Sequence, residues 1–167
     1  LLCPNHQGYF DAFLLCSVLP YHVFRRMFVV GAAEYFQTPL MQWLARQANL
    51  VPVDPDSALV SAMKTGAFGL SHNRVLLLFP EGERSIDGTV KRFKKGAPIL
   101  AAHVGVPIVP VGLKGIWEMW PRTKPLDWRY VGVWRSHRVR IGIGAPLSVP
   151  PGEPYADAAT RLRTTVD

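Results

Sequence analysis

The chain has 167 residues, of which 49% are hydrophobic and 19% are charged, with 15 prolines and 14 glycines spread along its length. This composition excludes a disordered, collagenous or low-complexity chain and predicts one globular domain. The chain has 19 basic and 12 acidic residues, a net charge of +7. That excess favours anionic partners, namely phosphorylated metabolites, an acidic membrane face or nucleic acid.

The two cysteines, Cys3 and Cys16, are too few for the disulfide framework of a small secreted domain and form no Cys-x-x-Cys pair. We therefore expect reduced thiols in a cytosol-facing compartment and no zinc site. No apolar run approaches the roughly 18 residues that a spanning helix needs, so we do not expect the chain to cross a bilayer. Because it starts at Leu1 without a methionine, we expect a longer protein that continues before this residue.

Strand and helix patterns alternate along the chain. Apolar segments bounded by Gly, Pro, Asn or Asp predict buried strands at Met27 to Gly31, Leu50 to Val53, Val75 to Phe79, Ile108 to Gly112 and Val139 to Ile143. Helices are predicted at Asp11 to Leu19, Leu40 to Gln47, Ser57 to Leu70 with Asp56 as N-cap, Ala97 to Val104, and Tyr155 to Val166. The alternation predicts an α/β fold with a largely parallel sheet flanked by helices on both faces. Functional residues in such folds collect beyond the carboxyl ends of the strands.

The first candidate site is the segment Asn-His-Gln-Gly-Tyr-Phe-Asp from Asn5 to Asp11. A neutral imidazole accepts a proton from a hydroxyl, and a carboxylate on its other nitrogen fixes the tautomer and stabilises the imidazolium. Positions five apart on one helix point about 140° away from each other. His6 and Asp11 therefore meet only if His6 lies in a turn, which Gly8 permits. The alternative is a loop histidine followed by an aspartate near a helix start.

The second candidate site is the segment Phe-Pro-Glu-Gly-Glu-Arg-Ser from Phe79 to Ser85, at the end of a predicted strand. A rigid proline, a permissive glycine and an arginine suit a loop that wraps an oxyanion, with Arg84 offering a planar fork to a phosphate. Glu81 and Glu83 would repel a phosphate, so we expect one of them to orient Arg84 or to accept a substrate hydroxyl. The alternative is a surface turn with solvated charges. Further basic residues follow and add to the positive field: Lys91, Arg92, Lys94 and Lys95.

Two other segments are interpreted as scaffold. Val106 to Val111 contains two prolines, and because proline removes a ladder donor we expect this strand at a sheet edge or lining a cavity. Leu50 to Asp54 is expected to be a strand that ends in an acid. Taken in order, these two segments and the two candidate sites resemble the four motifs of the glycerolipid acyltransferases, the lysophosphatidic-acid-acyltransferase-like family. The resemblance runs from about Asn5 to Arg122.

The resemblance implies a largely parallel mixed sheet flanked by helices on both faces, and a single acyltransferase domain over residues 1–167. It implies that His6 is a general base and that Asp11 orients it. It places Pro107 in the motif associated with the acyl donor. It also implies a set of substrate-binding residues that hold the glycerol phosphate of the acceptor: Glu81, Gly82, Arg84 and Ser85.

The implied reaction is direct attack of a lysophospholipid hydroxyl on a thioester, without an acyl-enzyme. Acyl-CoA or acyl carrier protein is the expected co-substrate, and no metal or other cofactor is expected. Lysophosphatidic acid is the leading acceptor. Two departures from the family pattern leave the headgroup open, since Pro55 stands where many members carry Arg and Glu83 where Thr is common.

The positive charge and a tryptophan-rich stretch predict peripheral association with an anionic membrane, on its cytoplasmic face, and no nucleic-acid partner is expected. Two alternatives stay open. One keeps the chemistry with a lysophospholipid of larger headgroup, and the other is a non-catalytic basic module that binds lipid or nucleic acid.

Overall fold

The structure is a computed structural model that describes residues 1–32, 49–53, 58–130 and 138–167, together with Pro39 and Trp43. The strands within these ranges are β1 (Leu2–Pro4), β2 (Met27–Ala32), β3 (Leu50–Val53), β4 (Val75–Leu77), β5 (Val109–Lys114) and β6 (Arg140–Ile143). The helices are α1 (Asp11–Val18), α2 (Tyr21–Phe24), α3 (Ala58–Ser71), α4 (Gly96–Val104) and α5 (Tyr155–Val166), with a 3₁₀ turn at Trp128–Tyr130.

The strands form one six-stranded sheet in the order β3-β2-β4-β1-β5-β6. Each neighbouring pair is parallel except β5 and β6, which pair in antiparallel fashion. The prediction of a largely parallel mixed sheet is therefore confirmed. Because β1 lies between β4 and β5 with all three strands parallel, the segments that follow them leave the sheet at the same edge.

The side chains of the sheet alternate between two hydrophobic cores. On one face Leu76 packs with apolar residues of α3, α4 and α5, such as Leu70, Leu100 and Leu162. On the other face Leu77 packs against α1 through Leu15. Successive residues of a strand point to opposite faces, so a strand buried on both sides is apolar throughout. This burial explains why continuous apolar runs, rather than alternating ones, predict these strands.

Most predicted elements are confirmed within one or two residues, including β3 and α5 at both ends. The predictions at Leu40 to Gln47 and for the N-cap Asp56 fall outside the described residues, apart from Trp43, which is helical. Three short elements were not predicted: β1, α2 and the 3₁₀ turn at Trp128–Tyr130. β1 is three residues long and α2 four, too short for a periodic pattern to be recognised.

The segment Val106 to Val111 was expected at a sheet edge or lining a cavity. The edge position is wrong, because β5 lies between β1 and β6. Pro107 precedes β5, and only Pro110 lies within it. The Pro110 carbonyl accepts a hydrogen bond from the Gly144 N–H at 2.9 Å. In a strand the N–H and C=O of one residue point the same way, so the missing Pro110 donor faces a position one residue beyond the end of β6. The missing N–H of Pro110 therefore costs no hydrogen bond between β5 and a residue of β6.

We predict that Gly69→Ala destabilises the fold, although alanine normally favours a helix interior. A methyl group on Gly69 of α3 would overlap the buried ring of Phe28 in β2. The overlap outweighs the helix-propensity gain of about 1 kcal/mol, and we expect a net loss of about 1–3 kcal/mol in the free energy of unfolding. Thermal and urea denaturation measure it.

Gly96→Ala is the matched control, because a Cβ at this first residue of α4 would make only an ordinary contact, 3.7 Å from Met63 Sδ. We expect this variant to be as stable as the parent chain or slightly more stable. Equal stability of the two variants would contradict the close packing of Gly69 in α3 on Phe28 in β2.

Candidate active site

Three chain segments meet at the carboxyl edge of β1, β4 and β5. The first runs from Asn5 to Asp11, the second from Phe79 to Ser85, and the third follows β5 from Gly115 to Arg122. Hydrogen bonds join them directly. The Ser85 N–H donates to the His6 carbonyl at 2.7 Å, and the Ile116 N–H donates to the Gln7 side-chain oxygen Oε1 at 3.2 Å. The predicted site residues of both motifs therefore share one edge of the sheet.

The centre of the site is the pair formed by His6 and Asp11, whose Nδ1 and Oδ2 atoms are 2.7 Å apart. Asp11 is buried, and its carboxylate also accepts the backbone N–H groups of Gln7 at 2.6 Å and Gly8 at 2.9 Å. Since a carboxylate surrounded by donors accepts, the hydrogen bond assigns the imidazole proton to Nδ1 and leaves the lone pair on Nε2. His6 lies outside the helix, before a turn at Tyr9 and Phe10, and the predicted helix start at Asp11 is confirmed.

The backbone and ring of His6 are held by the Phe79 to Ser85 loop. The His6 N–H donates to Glu81 Oε1 at 2.7 Å. The imidazole stacks on the Phe79 ring with centroids 3.9 Å apart and planes 21° from parallel. With 22% of its side chain exposed, His6 is fixed on one face and reachable from outside. This arrangement fixes the orientation of the imidazole and leaves the ring accessible.

Glu81 and Ser85 are buried, and their side chains hold the loop together. The second Glu81 oxygen accepts the Lys91 N–H at 3.0 Å. The Ser85 hydroxyl accepts the Gly88 N–H and donates to the Thr89 carbonyl, both at 2.9 Å. Burial is the main cause that raises the pKa of Glu81 above its ordinary value, although both backbone donors oppose it. That these two residues bind substrate stays a prediction, and the structure gives them a different, positioning role.

Gly82 and Arg84 lie on the outer side of the same loop. Gly82 has a φ of +75°, a left-handed conformation that favours glycine, and a Cβ there would lie 2.5 Å from the Lys94 ammonium. The Arg84 guanidinium carbon lies 3.7 Å from the centre of the Tyr9 ring. The loop therefore presents an arginine with a lysine nearby, as expected for an oxyanion-binding surface.

Glu83 is exposed and lies between two cations. Its carboxylate is 3.2 Å from Lys91 Nζ and 2.8 Å from an Arg122 guanidinium nitrogen. Hydrogen bonds from Lys91 and then Arg122 lower the pKa of Glu83. The expected negative charge beside the anion site is therefore offset by two positive charges, one of which comes from the segment after β5.

Three further residues shape the site, and the sequence analysis gave none of them this role. The Asn5 amide donates to the Leu113 carbonyl at 2.9 Å and accepts the Leu113 N–H at 2.7 Å, which extends the β1–β5 pairing by a side chain. Gln7 is buried and receives the Ile116 N–H. A Cβ on Gly8 would lie 2.8 Å from the Trp120 carbonyl oxygen, so Gly8 provides space for the third segment. Polar residues directly after an apolar run are the available signal for Asn5.

An open cleft of about 610 Å³ lies along the third segment and the residues after it. Its lining runs from Trp117 to Tyr130 and includes neither His6 nor Arg84. Asp54 and Pro55, which the family resemblance singled out, lie outside the described residues.

The carboxyl edge of this α/β sheet thus brings together a histidine–aspartate pair and an arginine-bearing loop. A family model described as Acyltransferase matches residues 1–114. The chain belongs to this family, within the PlsC-like glycerolipid acyltransferases, which confirms the resemblance drawn from the motifs.

The chain is similar to a chloroplastic 1-acyl-sn-glycerol-3-phosphate acyltransferase of Brassica napus, with 33% identity over 86% of this chain and 39% of the relative. It is 26% identical to a 1-acyl-sn-glycerol-3-phosphate acyltransferase of Pseudomonas aeruginosa over 73% of this chain and 46% of the relative. The chain thus spans less than half the length of these two curated relatives. The crystal structure of the PlsC acyltransferase from Thermotoga maritima shares the fold, with a TM-score of 0.77 at 23% identity over 99% of this chain and 62% of that one.

We predict that Glu81→Gln lowers the free energy of unfolding by about 1–3 kcal/mol, because a buried amide accepts only one of the two backbone N–H groups that the carboxylate accepts. The loss of the His6 contact should also shift the NMR resonances of the His6 ring. Denaturation and ring-proton spectra measure the two effects. Glu118→Gln, at an exposed position in the third segment, is the control. Unchanged stability and an unchanged His6 spectrum would contradict a positioning role for Glu81.

Proposed function

We propose that this chain is an O-acyltransferase that moves a fatty acyl group from a thioester to the hydroxyl of a lysophospholipid, with lysophosphatidic acid as the leading acceptor. The observation that carries the proposal is the 2.7 Å contact of His6 Nδ1 with the buried Asp11 carboxylate, next to the Arg84 loop. The family and the names of the relatives support the same reaction.

The proposed reaction passes through one tetrahedral intermediate. His6 Nε2 takes the proton of the acceptor hydroxyl while the oxygen attacks the thioester carbonyl carbon, and Asp11 stabilises the resulting imidazolium. When the intermediate collapses, the C–S bond breaks and the thiolate receives the proton back from His6. The products are an ester and a free thiol, so the step needs no acyl-enzyme and no metal or other cofactor. Acyl-CoA or acyl carrier protein supplies the thioester.

Arg84 is the proposed clamp for the acceptor phosphate, since a planar guanidinium binds phosphate through two parallel N–H···O bonds. Lys91 and Lys94 lie on the same loop surface and add positive charge. The phosphate thereby holds the acceptor hydroxyl near His6, which converts a bimolecular encounter into an oriented one.

We predict that His6→Ala abolishes thioester-dependent acylation, with a loss of at least about 10³-fold in kcat. The measurement uses purified protein, labelled palmitoyl-CoA and a panel of lysolipids that includes lysophosphatidic acid and lysolipids with larger headgroups. His103→Ala is the matched control, because His103 is an exposed residue near the end of α4. Equal activity of both variants would overturn the base assignment. Lipid binding without turnover in the parent chain would favour the non-catalytic alternative.

We further propose that the chain binds an anionic membrane through α1 and α2, on the cytoplasmic face. None of the helices in the described ranges combines the length and apolar character of a membrane span. Three side chains of these two helices are instead well exposed, at 52% for Phe13, 53% for Val18 and 75% for Tyr21. Arg25 and Arg26 follow directly and are exposed. Apolar and aromatic side chains flanked by arginines are typical of a surface that binds at an anionic lipid interface.

Vesicle co-sedimentation tests this surface, with vesicles of equal parts phosphatidylcholine and phosphatidylglycerol. We expect the double variant Phe13→Ser, Val18→Ser to bind about tenfold more weakly, because it removes two apolar side chains from the interface. Phe68→Ser is the matched control, since Phe68 is 66% exposed on α3, on the opposite face of the sheet. Equal binding of the double variant and the control would exclude this face, and binding of vesicles of phosphatidylcholine alone with the same affinity would exclude the role of the arginines.

A further inference from the structure

We propose that Tyr9 is a positioning residue that holds the Arg84 guanidinium in the orientation in which it receives the acceptor phosphate. The inference rests on the proposed function of Arg84. Its physical basis is the stack in which the Arg84 guanidinium carbon lies 3.7 Å above the centre of the Tyr9 ring. Tyr9 lies in the segment from Asn5 to Asp11 and Arg84 in the loop from Phe79 to Ser85, so this contact joins the proposed base-bearing segment to the proposed anion-binding loop.

The Tyr9 ring is itself fixed by aromatic neighbours. Its centre is 4.5 Å from the Trp120 ring, and Trp120 in turn meets Phe10 edge to face at 5.1 Å. The neighbouring Gly8 is tied to Asp11 by its N–H and lies directly under the Trp120 carbonyl. The backbone next to Tyr9 is fixed at Gly8, and the Trp120 indole packs on the Tyr9 ring. These contacts restrain the ring on which the guanidinium stacks.

A stack of this kind suits phosphate recognition. The N–H bonds of a guanidinium lie in its plane, so an aromatic ring over the face leaves the edge directed at other partners. The ring quadrupole attracts the cation and reduces the rotamers that Arg84 samples. Binding a phosphate then costs less side-chain entropy, which lowers the apparent KM for a phosphorylated acceptor. The hydroxyl chemistry at His6 should be unaffected.

A second contact, between the third segment and the loop, supports a common positioning unit. Arg122, two residues after Trp120, pairs with Glu83, the residue before Arg84. The third segment thus touches the loop through the ion pair at Glu83, and its Trp120 ring packs on the Tyr9 ring that meets Arg84. Tyr9 is 41% exposed, so its side chain contributes to this surface and little to either hydrophobic core.

The test compares Tyr9→Leu with Tyr9→Phe in steady-state kinetics. Because cation–π attraction is lost only when the ring is lost, we expect Tyr9→Leu to raise the KM for lysophosphatidic acid about fivefold. We expect kcat and the KM for palmitoyl-CoA to stay within about twofold, and Tyr9→Phe to behave like the parent chain. Monoacylglycerol, which has the hydroxyl without the phosphate, should show the same KM or apparent Kd with all three proteins. Thermal denaturation confirms that the variants are folded.

A double-mutant cycle separates this inference from the proposed function. In an Arg84→Met background, Tyr9→Leu should have no further effect on the KM for lysophosphatidic acid, because there is no cation left to position. Additive effects, or an equal loss with monoacylglycerol, would overturn the positioning role and leave the Arg84 clamp standing. If Arg84→Met itself leaves that KM unchanged, the clamp fails and the inference fails with it. Loss of all activity in His6→Ala would still support the acyltransferase reaction in that case.

Discussion

The whole site depends on one buried carboxylate. Asp11 receives the imidazole of His6 and two backbone N–H groups of the turn between them, so a single side chain fixes the turn and the base at once. Its place at the first residue of α1 adds the favourable field of a helix N-terminus. A negative charge buried in this way is stabilised by donors on every side, and the position of the base follows from it.

Hydrogen bonds also hold together the three segments of the site, which are far apart in sequence. The Asn5 amide joins the first segment to β5, the Ser85 N–H joins it to the loop after β4, and Gln7 joins it to the third segment. These bonds are made by backbone groups or by buried amides, which have few alternative partners. The candidate site, which is built on strand ends, is therefore held from below by the sheet and from the side by its neighbours.

The sequence was informative where the signal was local. Burial on both faces made the longer strands visible as apolar runs, and the spacing of His6 and Asp11 predicted a turn followed by a helix, which the structure confirms. The contacts that could not be predicted join segments that are distant in sequence. The resemblance implies that Glu81 binds substrate, and its positioning role could not be predicted because its partners, the backbone N–H groups of His6 and Lys91, lie 75 and 10 residues away along the chain. The ring of Tyr9 beneath Arg84 is equally invisible to spacing, since no pattern within one segment predicts a contact between two.

The side-chain amide of Asn5 completes a ladder that backbone alone would leave short, and this has a chemical consequence for the lifetime of the protein. Spontaneous hydrolysis of that amide would replace its NH₂ donor with an oxygen facing the Leu113 carbonyl, where like dipoles repel. The folded chain guards against such damage, because a residue that is 2% exposed and bonded at both ends is kept from water and from the backbone geometry that deamidation needs. Chemical ageing at this point should thus begin from molecules that have already opened, which ties the durability of the protein to the stability of its central strand.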